Sequence, residues 1–265
     1  MSHCVNLEYV QHTATITISR PSQLNSLSEE AFLELRQMLR ELHNNHNVRV
    51  VILKGEGKVF CAGGDIDFFA ELVDLPPSER SEKARQYVSL AHEVMALFVS
   101  LRVPLLVAVQ GAAAGFGLSL CCIADIVVAA RGSRFVPAYL GLGVTPDGGL
   151  SYSLPRLIGE TRASDLLLTN RSFDAEQAES WGLVTRLVDV NELDGNVSEV
   201  AKQLVSGPTK AAENTLRLLQ VQRNFDAFNT TLAAELDSFS DCVYVDDFVE
   251  GVRAFLDRRS PSFSG

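Results

Sequence analysis

A chain of 265 residues, 46% hydrophobic and 21% charged, carries enough apolar material to bury a large core. Its formal net charge of -10 and pI of about 5.0 leave no basic footprint for nucleic acid, and no apolar run approaches the roughly 18 residues of a membrane span. The expected partners are therefore small molecules and further copies of the chain.

Met1-Ser2-His3-Cys4 is not a basic region followed by an apolar stretch, so no secretory signal is expected and a cytoplasmic location is. Thr15-Ile16-Thr17-Ile18 alternates like a strand and Arg20-Pro21 ends it. Ser26-Leu27-Ser28-Glu29 then resembles a capping box before an amphipathic helix carrying Phe32, Leu35, Met38, Leu39 and Leu42. The unit repeats: a strand over 48–54, a glycine turn at 63–64, a polar stretch with Pro76-Pro77, a helix over 81–100 and a third strand over 105–110. A fourth buried strand is expected at 126–130, and the segments around Leu166 and Ala178 read as two short helices before Gly182-Leu183-Val184. Strands alternating with helices indicate an α/β architecture. From about 192 onward the strands stop, and helices are expected at 197–205, 210–229, 231–239 and 248–257, a tail read as an oligomer interface. The repeated unit is too irregular in length for a regular solenoid, which leaves a spiral of imperfect turns.

The five cysteines include the adjacent pair Cys121-Cys122 in an apolar run, none stands at a metal-ligand spacing, and all are expected as reduced core thiols. His3, His12, His43 and His46 form no His-x-x-x-His or His-Glu pattern, so no metal site is expected. Two glycine-broken segments are more informative: Phe60-Cys61-Ala62-Gly63-Gly64-Asp65 and Gly111-Ala112-Ala113-Ala114-Gly115-Phe116-Gly117. Each follows an apolar strand and leads into a helix, where backbone N–H groups lack partners. Two such amides converging on one point make an oxyanion hole for a carbonyl oxygen, strengthened by the helix dipole beginning near Phe116. The chain reads as an enzyme acting on an acyl compound.

Further residues carry a resemblance: Arg20-Pro21 with Leu24-Asn25-Ser26-Leu27, Phe60-Cys61-Ala62-Gly63-Gly64-Asp65-Ile66, Gly115-Phe116-Gly117 followed by Ala124-Asp125, Leu154-Pro155-Arg156 with Gly159, and Ala178 with Trp181-Gly182-Leu183-Val184. Over nearly its whole length the sequence resembles the crotonase, or enoyl-CoA hydratase/isomerase, superfamily. The resemblance implies an α/β fold with a ββα spiral core over residues 1–192 and a C-terminal helical oligomerisation region over 193–265. It implies a homotrimer or dimer of trimers, no permanently bound cofactor, and a substrate carried as a coenzyme A thioester. The amides of Gly64 and Phe116 would hold the thioester oxygen; the family usually has a glycine where Phe116 stands, but the donor is the backbone N–H. Leu24, Ala62, Asp65 and Ile66 would contact coenzyme A, with Phe255 and Arg258 of a neighbouring copy near its nucleotide end. Phe68, Phe69, Leu72 and the Pro76-Pro77 loop would border the acyl pocket.

At the two glutamate positions of the hydratases the register finds Ser119 and Tyr139, so paired carboxylates that position water are absent. Asp147, in Gly143-Val144-Thr145-Pro146-Asp147-Gly148-Gly149, is the leading acid/base candidate, because related isomerases keep an aspartate in this Pro-Asp setting. Taken without the family, Pro-Asp-Gly-Gly is simply a turn. Glu250-Gly251-Val252-Arg253-Ala254-Phe255-Leu256 also resembles the isomerase group. A competing resemblance, carried by Asp147, Ser151-Tyr152-Ser153-Leu154 and Leu168-Thr169-Asn170-Arg171, is to 4-chlorobenzoyl-CoA dehalogenase. It implies Asp147 as nucleophile and His92 as hydrolytic base, with Tyr139 where that enzyme has a tryptophan. Tyr139 would donate a hydrogen bond to substrate or to Asp147. A non-catalytic binding relative is the third reading.

Overall fold

The computed structural model of the chain describes residues 3–265, and the side chains of all of these except residues 222 and 223. Strands β1 (Val5–Val10), β2 (Thr13–Ile18), β3 (Val50–Gly55), β4 (Leu105–Val109), β5 (Ala112–Ala114), β6 (Ile126–Ala130), β7 (Arg134–Val136), β8 (Phe173–Asp174) and β9 (Arg186–Val188) form two sheets. Six of them lie in the order β1-β2-β3-β4-β6-β9, and the other three form a smaller sheet in the order β5-β7-β8. β1 and β2 pair as an antiparallel hairpin with Val5 opposite Ile18, and the rest of the large sheet is parallel.

The central strands β3, β4 and β6 are largely apolar on both faces, and the period of two explains where each side chain goes. Val51, Leu53, Leu105, Val107, Val109, Val127 and Ala129 enter the main core, while Val50, Ile52, Leu106, Ala108, Val128 and Ala130 enter a second one. Helices α1 (Glu29–Asn44) and α3 (Pro77–Val99) contribute Phe32, Leu35, Leu39, Val88, Met95 and Phe98 to the first. The second is covered by Leu193, Val197, Val200 and Ala201 of α8 (Leu193–Ser206). Helices therefore lie on both faces of the sheet.

Local chemistry departs from the sequence expectations at several points. Ser28 caps α1 by accepting from the Ala31 amide at 3.3 Å, but the third helical position is alanine, so the cap is one-sided and no capping box forms there. The reciprocal box occurs instead at α7 (Ala175–Trp181), between Asp174 and Gln177. Pro76-Pro77 is not a loop: Pro77 opens α3, where a missing N–H costs nothing. A short helix α2 (Ile66–Val73), capped by Asp65, precedes it. Between α4 (Phe116–Ile123) and α6 (Glu160–Thr169) lies a further unexpected helix, α5 (Leu150–Ile158), with Pro155 inside it.

The tail is helical as expected, with a different break. α9 (Thr209–Arg223) ends at Asn224, whose left-handed backbone (φ 49°) reverses the chain and whose side chain caps α10 (Phe225–Tyr244); the expected break lay at 229–231. α10 and α11 (Asp246–Leu256) pack Phe228, Leu232, Phe239, Val243, Phe248 and Val252 into the main core. Among the described residues no helix is long and apolar enough to cross a membrane.

Candidate active site

The two glycine turns leave the C-terminal ends of β3 and β4 and are tied together. The Cys61 amide donates to Ala112 O at 3.2 Å and the Ala114 amide to Cys61 O at 2.9 Å. Gly63 has φ +98°, and a Cβ there would stand 2.9 Å from Ala114 O, so both backbone conformation and space require glycine. Gly115, the N-cap of α4, has φ 50° and ψ -121°, a conformation open essentially to glycine alone. Past these glycines stand Gly64 and Phe116, whose amides donate to no group among the described residues. Both residues line one cavity of about 60 Å³, together with Tyr139 and Asp147.

The turn carrying Gly64 is braced from outside. The Tyr87 hydroxyl on α3 donates to Leu27 O and accepts from the Asp65 amide at 3.0 Å. Asp65 Oδ2 meets Arg20 Nη2 at 2.8 Å, both side chains largely buried, and Arg20 Nη1 donates to Ser26 O at 2.5 Å. Arg20 and Asp65 thus hold the turn to the segment after β2, and Tyr87, absent from the sequence reading, adds the third tie.

Asp147 lies across the cavity in the loop before α5. Its Oδ1 accepts from the Tyr139 hydroxyl at 2.6 Å, and its backbone carbonyl accepts from Ser119 Oγ of α4 at 3.0 Å. Burial pushes the Asp147 carboxyl up to about 7; the Tyr139 hydrogen bond works against that rise and the charge of Glu235 adds to it. Burial likewise raises the Tyr139 phenol well above its ordinary value, with the Asp147 charge next in importance, so the phenol keeps its proton and donates it.

Glu235 of α10 is a buried carboxylate that the sequence reading missed. Oε2 accepts from the Gly149 amide at 2.6 Å, and Oε1 accepts from the Ser151 amide at 3.0 Å and Ser151 Oγ at 2.5 Å. It supplies from another helix the N-terminal cap that Gly149 cannot give α5. Burial raises its carboxyl, and these three donors oppose the rise.

The remaining expected site residues fall into three groups. His92 is buried behind the loop and does not line the cavity: its Nε2 accepts from the Gly148 amide at 3.1 Å, the Leu232 carbonyl faces its other nitrogen, and burial lowers it to about 4. Leu24 and Ala62 are brought together, the Ala62 amide donating to Leu24 O at 3.1 Å, with Asp65 and Ile66 following at the start of α2. Phe255 and Arg258 lie exposed at the end of α11 and contribute nothing to this cavity within one chain. Of the residues expected around the acyl pocket only Phe69 lines it; Phe68 stacks on the outer side of Tyr87 at 4.2 Å and Leu72 is buried beside it.

Residues 8–265 match the family model described as enoyl-CoA hydratase/isomerase. The chain belongs to the enoyl-CoA hydratase/isomerase family. The 1,2-epoxyphenylacetyl-CoA isomerase of Escherichia coli (strain K12) is 35% identical over 95% of this chain and 94% of that protein. The 4-chlorobenzoyl coenzyme A dehalogenase-2 of an Arthrobacter species is 34% identical over 78% of this chain and 74% of its own. The crystal structure of an enoyl-CoA hydratase from Mycobacterium avium subsp. paratuberculosis K-10 superposes with a TM-score of 0.89 at 28% identity, covering 99% of both chains. This is the crotonase fold, and its enoyl-CoA hydratase/isomerase relatives include isomerase, dehalogenase and hydratase alike. The reaction is therefore argued from the residues of this cavity.

Proposed function

We propose that this member of the enoyl-CoA hydratase/isomerase family moves a carbon–carbon double bond within an acyl-CoA, converting a 3-enoyl-CoA to the 2-enoyl-CoA. The observation that carries this reading is Asp147: a carboxylate held at about 7 inside the cavity that Gly64 and Phe116 also line. A base poised near the working pH can both take and return a proton.

Asp147 as carboxylate takes a proton from the α-carbon of the thioester. The electron pair delocalises to the thioester oxygen and across the double bond, and the Gly64 and Phe116 amides, aided by the α4 dipole, hold the oxygen's negative charge. The same carboxyl then returns its proton to the γ-carbon, the double bond re-forms between the α and β carbons, and no other reactant is consumed. The Tyr139 hydroxyl keeps the carboxylate oriented. Among the described residues no second carboxylate lines the cavity to position water for hydration. His92, the base that a dehalogenase reading requires, has its Nε2 occupied by the Gly148 amide and does not line the cavity, which favours the isomerase over that alternative.

The same reading takes Leu24, Ala62, Asp65 and Ile66 as the seat of coenzyme A, with Phe255 and Arg258 supplied by a neighbouring copy in a trimer or dimer of trimers. Phe255, Leu256 and Phe263 are exposed apolar groups at that end of the chain. The test is a paired assay on purified protein: 3-hexenoyl-CoA for conjugation and 4-chlorobenzoyl-CoA for chloride. Conjugation without chloride, lost in Asp147→Asn, is the expected result. Full activity in that variant, or chloride release, overturns the assignment.

A further inference from the structure

A second cavity, wider than the one just described, lies elsewhere among the described residues. It measures about 460 Å³ and opens between the end of α1, the residues leading into β4, and α9. Leu42, Val48, Leu101 and Val103 form its apolar floor. Val48 and Leu101–Val103 precede β3 and β4, so this cavity sits at the N-terminal ends of the strands whose C-terminal ends lead to Gly64 and Phe116. It lies at the opposite end of these strands from the candidate active-site cavity, with no lining residue in common.

Its polar wall is cationic. Arg102, Lys210 and Arg217 line it, together with His43 and His46. Glu213 is the single carboxylate in the lining, and it is already engaged with Lys210 at 3.4 Å. Neither Arg102 nor Arg217 has an ion-pair partner among the described residues. Two arginines without an ion-pair partner lining one concavity are unexpected on a chain of net charge -10. The wall is also fixed: the His43 ring is held between Leu39 O at 2.8 Å and Ser100 Oγ at 3.1 Å, and Gln220 Nε2 ties α9 to Leu101 O at 2.8 Å. A concave, partly apolar recess concentrates the field of its charges, and guanidinium forks match phosphate oxygens in pairs. The volume falls in the range of small-ligand sites.

We propose that this recess is a second, non-catalytic site for a phosphate-bearing small anion, held by Arg102 and Arg217 with Lys210 at its rim. The apolar floor has room for a group attached to the phosphates, so the ligand is either a free polyphosphate or a nucleotide. The proposal is independent of the reaction assigned to Asp147.

The experiment is calorimetric titration of the full-length protein with pyrophosphate and, separately, with ADP, on wild type and on the Arg102→Gln/Arg217→Gln double variant. Acetyl-CoA is kept saturating so that the catalytic cleft is occupied. Wild type is expected to bind both probes, more weakly as salt is raised. The double variant is expected to bind at least about tenfold more weakly, with its melting temperature and its affinity for acetyl-CoA unchanged. ADP binding about tenfold tighter than pyrophosphate identifies a nucleotide, and equal affinities identify the phosphates alone. No binding in wild type, or equal binding by wild type and double variant, overturns the proposal. Should the double variant melt early, Arg217→Lys with wild-type melting decides instead. Unchanged affinity in it overturns the fork-like recognition, and a loss of about tenfold upholds it.

Discussion

Asp147 and Glu235 are carboxylates removed from water on the two sides of the Gly148-Gly149 turn, and the loop and the helix that carry them treat the same functional group differently. Glu235 receives three donors, two of them backbone amides of the α5 start. Asp147 receives one side-chain donor, from Tyr139. A carboxylate that takes three donors makes a good anchor and a poor base, because little lone-pair capacity is left to meet a substrate proton. A singly satisfied one keeps an oxygen free, and its burial holds it near neutrality. On the proposed reading, α10 thus anchors the loop that carries the reactive carboxylate.

The largest expected effect breaks the reactive side. Asp147→Asn keeps the shape and removes the proton carrier, so kcat for double-bond migration should fall by about 10³-fold with little change in acyl-CoA affinity. The same variant should gain stability. Because the Asp147 carboxyl is raised to about 7 in the folded protein, its favourable contribution is complete below the ordinary carboxylate range and is lost as pH rises through 7. At pH 8 the asparagine variant should therefore be the more stable by up to about 4 kcal/mol, less the weakened Tyr139 contact. Chemical denaturation from pH 4 to 8 checks this: a difference that does not grow with pH would mean that the carboxyl is not strained by burial.

Breaking the anchoring side should act on structure first. Glu235→Ala strands the Gly149 and Ser151 donors and is expected to cost about 3 kcal/mol in denaturant unfolding. Glu235→Gln retains an acceptor and removes the charge that helps raise Asp147, so the rising limb of the kcat–pH profile should move to lower pH. A limb that stays in place would leave Glu235 as a cap with no electrostatic influence on Asp147.

This division of labour was only half legible in the sequence. Strands β3, β4 and β6 announce themselves because each is apolar on both faces, whereas Asp147 was singled out through the family resemblance of its Pro-Asp setting, the turn alone saying nothing of chemistry. Glu235 was invisible: its partners lie more than eighty residues away, and on its own helix it reads as one more polar position between Ala234 and Leu236. Tyr87 escaped for the same reason, since its ties to Leu27 and Asp65 span three different segments. Strand β5 is three alanines between glycines, a composition without β propensity, and it forms because Cys61 on one side and β7 on the other supply partners. His92 was legible only by its position. Its place in the chain matched a catalytic base, while the structure sets its Nε2 against the Gly148 amide, a contact that no sequence pattern announces.

The smaller predictions test how the hydroxyl pair Tyr139 and Ser119 divides between the two carboxylates' tasks. Tyr139→Phe removes the one donor to Asp147 Oδ1, and since that bond lowers the Asp147 carboxyl, the activity limb should move to higher pH and kcat at neutrality should fall by about tenfold. Ser119 is different in kind. Its hydroxyl donates to the backbone carbonyl of Asp147, 3.0 Å away, and touches Tyr139 OH at 3.1 Å, without reaching the carboxylate. Ser119→Ala should therefore cost about 1 kcal/mol of stability, leave the pH profile where it is, and lower kcat less than Tyr139→Phe does. The pair of pH profiles is the discriminating measurement. If the serine variant moves the limb as far as the phenylalanine variant does, Ser119 orients the Tyr139 proton, and the loop's chemistry runs through a three-member relay in place of the single Tyr139–Asp147 bond.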